Sequence, residues 1–314
     1  MDKFHIFPPQ ASTGASAVDG LLFGLIAVSA FFVTVIFLPM IWFLVKYRRG
    51  SPADRSNPSS GSNLVESGWT IGAIVISIGL FVWGALVYFN LERRPSNAIE
   101  VNVLGKQWMW QLQHTEGKRE LNELHIPLNQ TVALTMTSQD VIHSFYVPAF
   151  RVKQDVVPGK YTSEWFKAKR AGEYHLFCAE YCGTQHSGMI GRIVVMEPKA
   201  YEQWLKSGPP TEPIALAGQR LFQDRGCSGC HAANAKFHAP LLEGLYGKAV
   251  PLSNGRIVTA DEQYLRDSIL QPARDIAAGY DNIMPSFSGH LSEEELMQLI
   301  AYMKSIGTQE QPSQ

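Results

Sequence analysis

Net charge is what this sequence most lacks: 27 Lys and Arg stand against 28 Asp and Glu in 314 residues, a formal value of -1. Nucleic-acid binders neutralise phosphate with clustered cations, so nucleic acid is excluded as a partner. Internal repeats and low-complexity tracts are absent, and no repeat architecture is expected. Cysteine is rare, and its four residues fall in two close pairs. Asp, Glu, Lys, Arg and His are wholly missing from two stretches, residues 20–45 and 67–91. The mean hydropathy of -0.06 resembles that of a soluble protein only because it averages these stretches with a polar remainder. The length leaves room for two or three domains at about 100–200 residues each.

Roughly 20 apolar helical residues cross a hydrocarbon core of about 30 Å, so each uncharged stretch can span a bilayer with some tilt. Uncharged runs this long are uncommon in soluble cores, and two transmembrane helices are expected. Pro39 predicts a kink in the first, while Trp42, Tyr47, Trp69 and Tyr88 suit interfacial belts. Lys46, Arg48, Arg49 and Arg55 lie between the helices against Asp54 and Glu66, whereas only Lys3 precedes them, against Asp2 and Asp19. Basic flanks stay cytoplasmic. The connecting loop is therefore expected on the cytoplasmic side of a bacterial cell membrane, with both termini and everything after the second helix on the outer, periplasmic side, although Arg93 and Arg94 blunt the asymmetry. The first 19 residues carry no apolar core and the run that follows is too long for one, so no cleavable signal peptide is expected.

After Pro95 the texture changes to short alternating or β-branched runs. Strands are expected at 99–104, 108–114, 132–137, 141–147, 161–166, 173–178 and 190–196, separated by turn signals such as Pro158-Gly159. Many short strands without intervening helices predict a small β-sandwich or barrel. Residues 201–206 could add one or two helical turns before Ser207-Gly208-Pro209-Pro210 breaks the pattern. Helical spacing returns at 215–225 and 292–306, the latter opened by Ser292 and Glu295 as a capping box and closed by Gly307. The expected division is a membrane segment at 1–95, a β domain at 96–200, a linker at 201–212, an all-α domain at 213–307 and a disordered polar tail at 308–314.

Cys227-Ser228-Gly229-Cys230-His231 is a C-x-x-C-H sequence. In such a sequence two thiols form thioethers to haem and the histidine becomes the proximal iron ligand. A zinc knuckle would want a second ligand pair and a redox dithiol a thioredoxin-like pattern; neither context is present. The opposite iron ligand should be a thioether or imidazole on a distant loop, and Met284, ahead of Pro285, is favoured. Met297 and Met303 sit within the last helix and read as core, His238 and His290 as surface histidines. Residues 213–307 resemble a class I c-type cytochrome.

The other pair lies in Cys178-Ala179-Glu180-Tyr181-Cys182-Gly183-Thr184-Gln185-His186-Ser187-Gly188-Met189. Thiolates, imidazole and thioether crowded on one loop between strands select copper over harder ions, and a sandwich that supplies a remote histidine is how blue-copper sites are assembled. A second thiolate makes room for a second copper. The remote histidine must be His114, His125, His143 or His175, and His143 is favoured because it starts a strand where a loop can face the cysteines. A disulfide between Cys178 and Cys182 would leave His186 and Met189 unexplained.

This loop, His143 and Gly105-Lys106-Gln107-Trp108-Met109-Trp110 resemble subunit II of haem-copper cytochrome c oxidases, with a fused cytochrome c as in the caa3 type. The resemblance covers nearly all of the chain after its first 20 or so residues. It implies a membrane-anchored, multidomain chain: a two-helix transmembrane hairpin, a cupredoxin-like β-sandwich and an all-α class I cytochrome c domain. It implies a binuclear copper centre, CuA, bridged by Cys178 and Cys182, with His143 and His186 as imidazole ligands and Met189 and the Glu180 carbonyl as weak ones. The Glu180 carboxylate would also contact a magnesium ion at the boundary with subunit I. Trp108 would be where electrons arrive from cytochrome c, and Glu66 would mark a proton-channel mouth. An interface aromatic and a juxtamembrane carboxylate are the plainer readings of those two, and Gly72-Ala73 stands where the family has a proline.

The expected function is electron transfer from a soluble c-type cytochrome or membrane donor, through the chain's own haem and CuA, to subunit I. Subunit III is an expected neighbour. Subunit I would reduce dioxygen to water with proton pumping, and no acid, base or nucleophile is expected on this chain. Two alternatives stand beside it. The small subunit of a nitric oxide reductase can carry the same copper site, and a membrane-tethered copper chaperone would need a thioredoxin-like alternation of strands and helices that is not apparent.

Overall fold

Apolar side chains recur at every second position through the middle of the chain, and there the computed structural model forms two five-stranded sheets. It describes residues 7–56, 61–208, 211–232, 235 and 237–306. The strands are β1 (Ile99–Lys106), β2 (Met109–His114), β3 (Arg119–Leu121), β4 (Glu123–Pro127), β5 (Thr131–Ser138), β6 (His143–Val147), β7 (Val152–Val156), β8 (Thr162–Lys167), β9 (Gly172–Cys178) and β10 (Ile190–Met196). One sheet runs β3-β2-β1-β5-β8 and the other β4-β10-β9-β6-β7. Each sets one parallel pair, β1 with β5 and β4 with β10, into an antiparallel ladder. Val103, Trp110 and Met136 from the first sheet meet Phe145, Leu176 and Ile193 from the second in one core, all fully buried. Each such side chain contributes about 1.5–3 kcal/mol of burial, and this joint holds the sheets together. Ala11 and Ser12, just ahead of the first membrane stretch, join the same domain: Ser12 bridges Ala168, and the Ala11 carbonyl accepts from the Lys169 amide at 2.8 Å.

The two uncharged stretches lie within α1 (Ala15–Lys46) and α2 (Asn63–Glu92), both long and apolar enough to cross a bilayer. Phe37, Trp69 and Phe81 are exposed on them, and a helix that is apolar all round belongs inside a core or in lipid. Pro39 lies inside α1. Residues 13–94 make a compact unit of their own.

Beyond α3 (Pro198–Lys206) the chain builds α4 (Ile214–Asp224), α5 (Ser228–His231), the hairpin of β11 (Ala249–Pro251) and β12 (Ile257–Thr259), α6 (Glu262–Leu270) and α7 (Glu293–Ser305). The capping box opens α7: the Ser292 hydroxyl accepts from the Glu295 amide at 3.2 Å, and the Glu295 carboxylate accepts from the Ser292 amide at 2.8 Å. α4 packs on α7 at Gly218, where a Cβ would lie 1.9 Å from the Gln298 carbonyl oxygen. Only glycine permits that approach.

Sequence reading did not foresee β3, β4, β7, the β11–β12 hairpin or α6. β3 and β4 are short and interrupted by Arg119, Glu120, Glu123 and His125, and β7 is an edge strand carrying Lys153 and Asp155. α6 had one signal, Asp261, whose carboxylate accepts from the Tyr264 amide at 2.8 Å as an N-cap. The strand expected from 141 starts only at His143, because Asp140 and Val141 wrap around the Ser138 hydroxyl. Gly307, the tail at 308–314 and Pro209-Pro210 lie outside the described residues.

Candidate metal and haem centres

β6 and β9 are neighbours, with Phe145 opposite Cys178. His143 at the start of β6 and Cys178 at the end of β9 therefore reach the same end of the sandwich, and the loop after Cys178 brings back the rest. The two sulfurs lie 3.8 Å apart. His143 Nδ1 is 4.0 Å from Cys178 Sγ, His186 Nδ1 3.4 Å from Cys182 Sγ, and Met189 Sδ 3.8 Å from Cys182 Sγ. The Glu180 carbonyl oxygen is 3.2 Å from Cys178 Sγ, while the rest of that residue is exposed. His143, Cys178 and Cys182 are buried with their donor atoms within 4.8 Å of one another, and both cysteines are free thiols. The other candidate histidines are elsewhere. His114 and His125 share the Glu120 carboxylate at 2.8 and 2.5 Å, and His175 is exposed and stacked on Phe177.

Burial alone would raise the Cys178 thiol, but contacts with His143 and with the backbone at Glu180 and Ser144 outweigh it and pull it well below the usual range. Burial and the neighbouring charge on Cys178 push Cys182 up. One proton leaves this pair easily and the second waits for a cation, which is how a thiolate metal site fills. Asp140 fixes the remote imidazole: its Oδ1 accepts from His143 Nε2 at 2.8 Å, and its Oδ2 from the Gln107 amide at 2.7 Å. A carboxylate accepts, so Nε2 carries the proton and Nδ1 keeps its lone pair toward the sulfurs. Asp140 belongs to no motif in the sequence; its place three residues before His143 is the one signal the sequence offers for it. Gly105 completes the support, since a Cβ there would stand 3.0 Å from the His143 ring. The donor set of two thiols, two imidazoles, a thioether and a carbonyl suits copper.

Trp108 is partly exposed and donates from Nε1 to the Cys182 carbonyl at 3.2 Å, beside Gln107 Nε2 at 2.7 Å from the same oxygen. Glu66 stands in the first turn of α2, within the membrane unit.

In the helical domain Phe222, Cys227, Cys230, His231, Met284 and Leu299 line one largely apolar cavity. His231 Nδ1 lies 2.8 Å from the Pro240 carbonyl. A carbonyl only accepts, so Nδ1 holds the proton and Nε2 is left to bind a metal. Met303 also lines the cavity but is buried in α7 beside Met297. His238 is exposed and stacks on Tyr280 with ring centroids 4.7 Å apart, and His290 is exposed. Two thiols one helical turn apart, an imidazole with its outer nitrogen oriented and a thioether on the same apolar walls fit a covalently held haem.

Two family models match: cytochrome c oxidase subunit II, periplasmic domain, over residues 119–197, and cytochrome c over residues 215–307. A cytochrome c oxidase subunit 2 of Alkalihalophilus pseudofirmus is 30% identical over 96% of this chain and 90% of its own length. One from Cereibacter sphaeroides is 31% identical over 64% of this chain and 78% of its own. Among solved structures, the periplasmic domain of subunit II (CoxB) of Bradyrhizobium japonicum is 32% identical, covering 36% of this chain and 94% of that one, with a TM-score of 0.35. A cupredoxin-like sandwich joined to a cytochrome c domain behind two apolar helices defines a membrane-anchored electron-transfer protein of copper and haem. The chain belongs to the cytochrome c oxidase subunit 2 family, as a member with a fused cytochrome c domain, and so to the oxidoreductases of the haem-copper oxidase class.

Proposed function

We propose that this chain carries electrons from a c-type haem to a CuA centre and on to subunit I of a haem-copper oxidase. The observation that carries the reading is the buried cluster in which Cys178, Cys182, His143, His186, Met189 and the Glu180 carbonyl converge. Bound there, a copper pair shared by two sulfurs would accept and release single electrons with little movement of its ligands. The protein's part is to hold the ligands still. Asp140 and Gly105 fix the His143 ring, Trp110 packs edge-on to it with centroids 5.9 Å apart, and the core keeps water away. In the helical domain Cys227 and Cys230 would anchor the haem, with His231, aligned by the Pro240 carbonyl, and Met284 facing its iron.

In this reading residues 1–95 anchor the chain, 96–200 form the copper domain, 201–212 link it to the haem domain at 213–307, and 308–314 trail. The loop between α1 and α2 is cytoplasmic, and both termini and both metal domains lie outside. Subunit III is a further neighbour, a soluble cytochrome c or membrane donor reduces the haem, and subunit I reduces dioxygen to water with proton pumping. The Glu180 carboxylate, exposed beside the cluster, is free to meet a magnesium ion at the subunit I boundary. Trp108, bonded to the Cys182 carbonyl, offers a route from outside to the copper, and Glu66 marks a proton path.

The test is turnover by the detergent-solubilised complex with reduced cytochrome c. Oxygen consumption is expected. Nitric oxide consumption without oxygen consumption would move the chain to the nitric oxide reductases.

A further inference from the structure

The helical domain does not hang loosely from the sandwich. Besides the Ile214 amide, which donates to the Thr115 carbonyl at 3.2 Å where α4 begins, two groups of side-chain contacts join them. At one end Lys304 of α7 bonds Glu100 of β1 at 2.7 Å and Glu262 at 2.9 Å, and Arg119 of β3 bonds Glu294 at 2.5 Å. At the other, α6 meets the turn between β7 and β8: Arg266 Nη1 donates to the Gly159 carbonyl at 3.1 Å, and Gln263 Oε1 accepts from the Tyr161 amide at 2.9 Å. Arg266 is 7% exposed and also pairs with Glu293. Tyr161, though part of the copper domain, packs into the apolar cluster that holds Cys227 and Met284.

The second junction has bonded or lining neighbours on the side of each centre. Leu265 and Ile269, flanking Arg266 on α6, line the haem cavity. On the other side Pro158, next to Gly159, bridges Ser138. The Ser138 hydroxyl accepts from the Asp140 amide at 3.2 Å, and Asp140 accepts from His143, whose Nδ1 faces Cys178. A short bonded path thus runs from the cavity wall to a copper ligand. The Arg119–Glu294 contact has no such continuation: Arg119 opens the edge strand β3, and Glu294 stands on α7, not on α6.

We propose that Arg266 is a positioning residue for electron transfer, holding the cavity-lining helix α6 against the turn that leads through Ser138 and Asp140 to His143. This rests on the function proposed above. The step it serves is one-electron: the ferrous haem iron becomes ferric, the oxidised copper pair takes the electron, no bond breaks and no proton moves. Loss of the Arg266 donor would let α6 draw back while both ligand sets remain intact.

The experiment uses the whole purified complex. Light-triggered reduction of the c-type haem is followed by the decay of the near-infrared copper band, and hydrogen exchange at the Tyr161 amide is read in parallel. Arg266→Gln should slow the haem-to-copper step about tenfold or more, since ångström-scale misplacement commonly costs one or two orders of magnitude in an orientation-dependent step. It should also speed exchange at Tyr161 and leave both absorption spectra unchanged. Arg266→Lys, which keeps a cationic donor, should recover most of the rate, and Arg119→Gln, at the contact that does not touch α6, should leave it alone. If Arg266→Gln does not fold, Gln263→Leu carries the same test at the neighbouring bond. Unchanged rates in Arg266→Gln or Gln263→Leu, or equal slowing in Arg119→Gln, would overturn the assignment. Absence of haem-to-copper transfer in the parent complex would instead refute the function on which it rests.

Discussion

The copper end of the sandwich and the haem cavity solve the same problem, holding a redox group still, in opposite ways. The proposed copper ligands hang from a closely packed core: His143 is 0%, Met189 1% and Cys182 3% exposed, and Trp110, Phe145 and Leu176 pack behind them. The proposed haem ligands stand on the walls of a cavity: Cys227, Cys230, His231 and Met284 are half-buried beside the cluster that holds Phe222 and Leu299. The sandwich is expected to fold first and bind later, and the helical domain to gain more of its stability from its cofactor. The difference follows from the secondary structure. Two sheets bury each other over their faces, while helices of 4, 9, 11 and 13 residues form a smaller cluster around Phe222, Leu265 and Leu299 with the cavity beside it.

The sharpest way to break the comparison is to remove each group's anchor. Cys227→Ala with Cys230→Ala should abolish covalent haem and unfold the helical domain, leaving the copper signal in place; circular dichroism and the copper band would read the two separately. Cys182→Ser should abolish the copper signal while the sandwich stays folded and the haem c spectrum unchanged. A core truncation comes next: Trp110→Ala should destabilise the sandwich by about 3–5 kcal/mol and loosen His143, seen as a lower denaturant midpoint for copper release than for haem loss. Met284→Leu should keep the covalent haem and the fold but alter the haem spectrum, as expected if only an iron ligand is lost. An unchanged spectrum would remove Met284 from the ligand set.

The smallest effect concerns the joint between the domains. Burial would raise the Glu262 carboxyl, but the Lys304 ammonium and the Tyr246 hydroxyl outweigh it, so the folded carboxyl titrates below its ordinary value of 4.5. A depressed folded value adds stability that is complete above about pH 4.5 and is lost as pH falls through the lower folded value. Acidification below pH 4.5 should therefore weaken the Lys304–Glu262–Glu100 contact, by about 1 kcal/mol or less. Thermal melts followed in the haem band at pH 6 and pH 4 would show it, and Lys304→Gln should abolish that increment.

What could be read from sequence tracks how local the signal is. The copper loop and the C-x-x-C-H sequence are chemistry written in consecutive residues, so spacing alone pointed to their residues. α1, α2 and α7 announced themselves by uncharged length or by a capping box. β3, β4 and β7 did not, because a short strand whose polar side chains face solvent or one another leaves almost no period. Asp140 was missed for a different reason: its role appears only once β6 starts at His143 and the turn before it closes on Ser138. Arg266 was invisible altogether, since nothing in 262–270 shows that the far side of the helix meets Gly159, more than 100 residues earlier in the chain.

The central claim is that Cys178 and Cys182 hold metal between them instead of bonding to each other. Electron paramagnetic resonance of the purified complex tests it most directly, comparing the parent with Cys182→Ser. A multiline mixed-valence copper signal is expected in the parent and its disappearance in the variant, with the haem c spectrum the same in both. A parent spectrum without that signal, or one that survives the substitution, would contradict it.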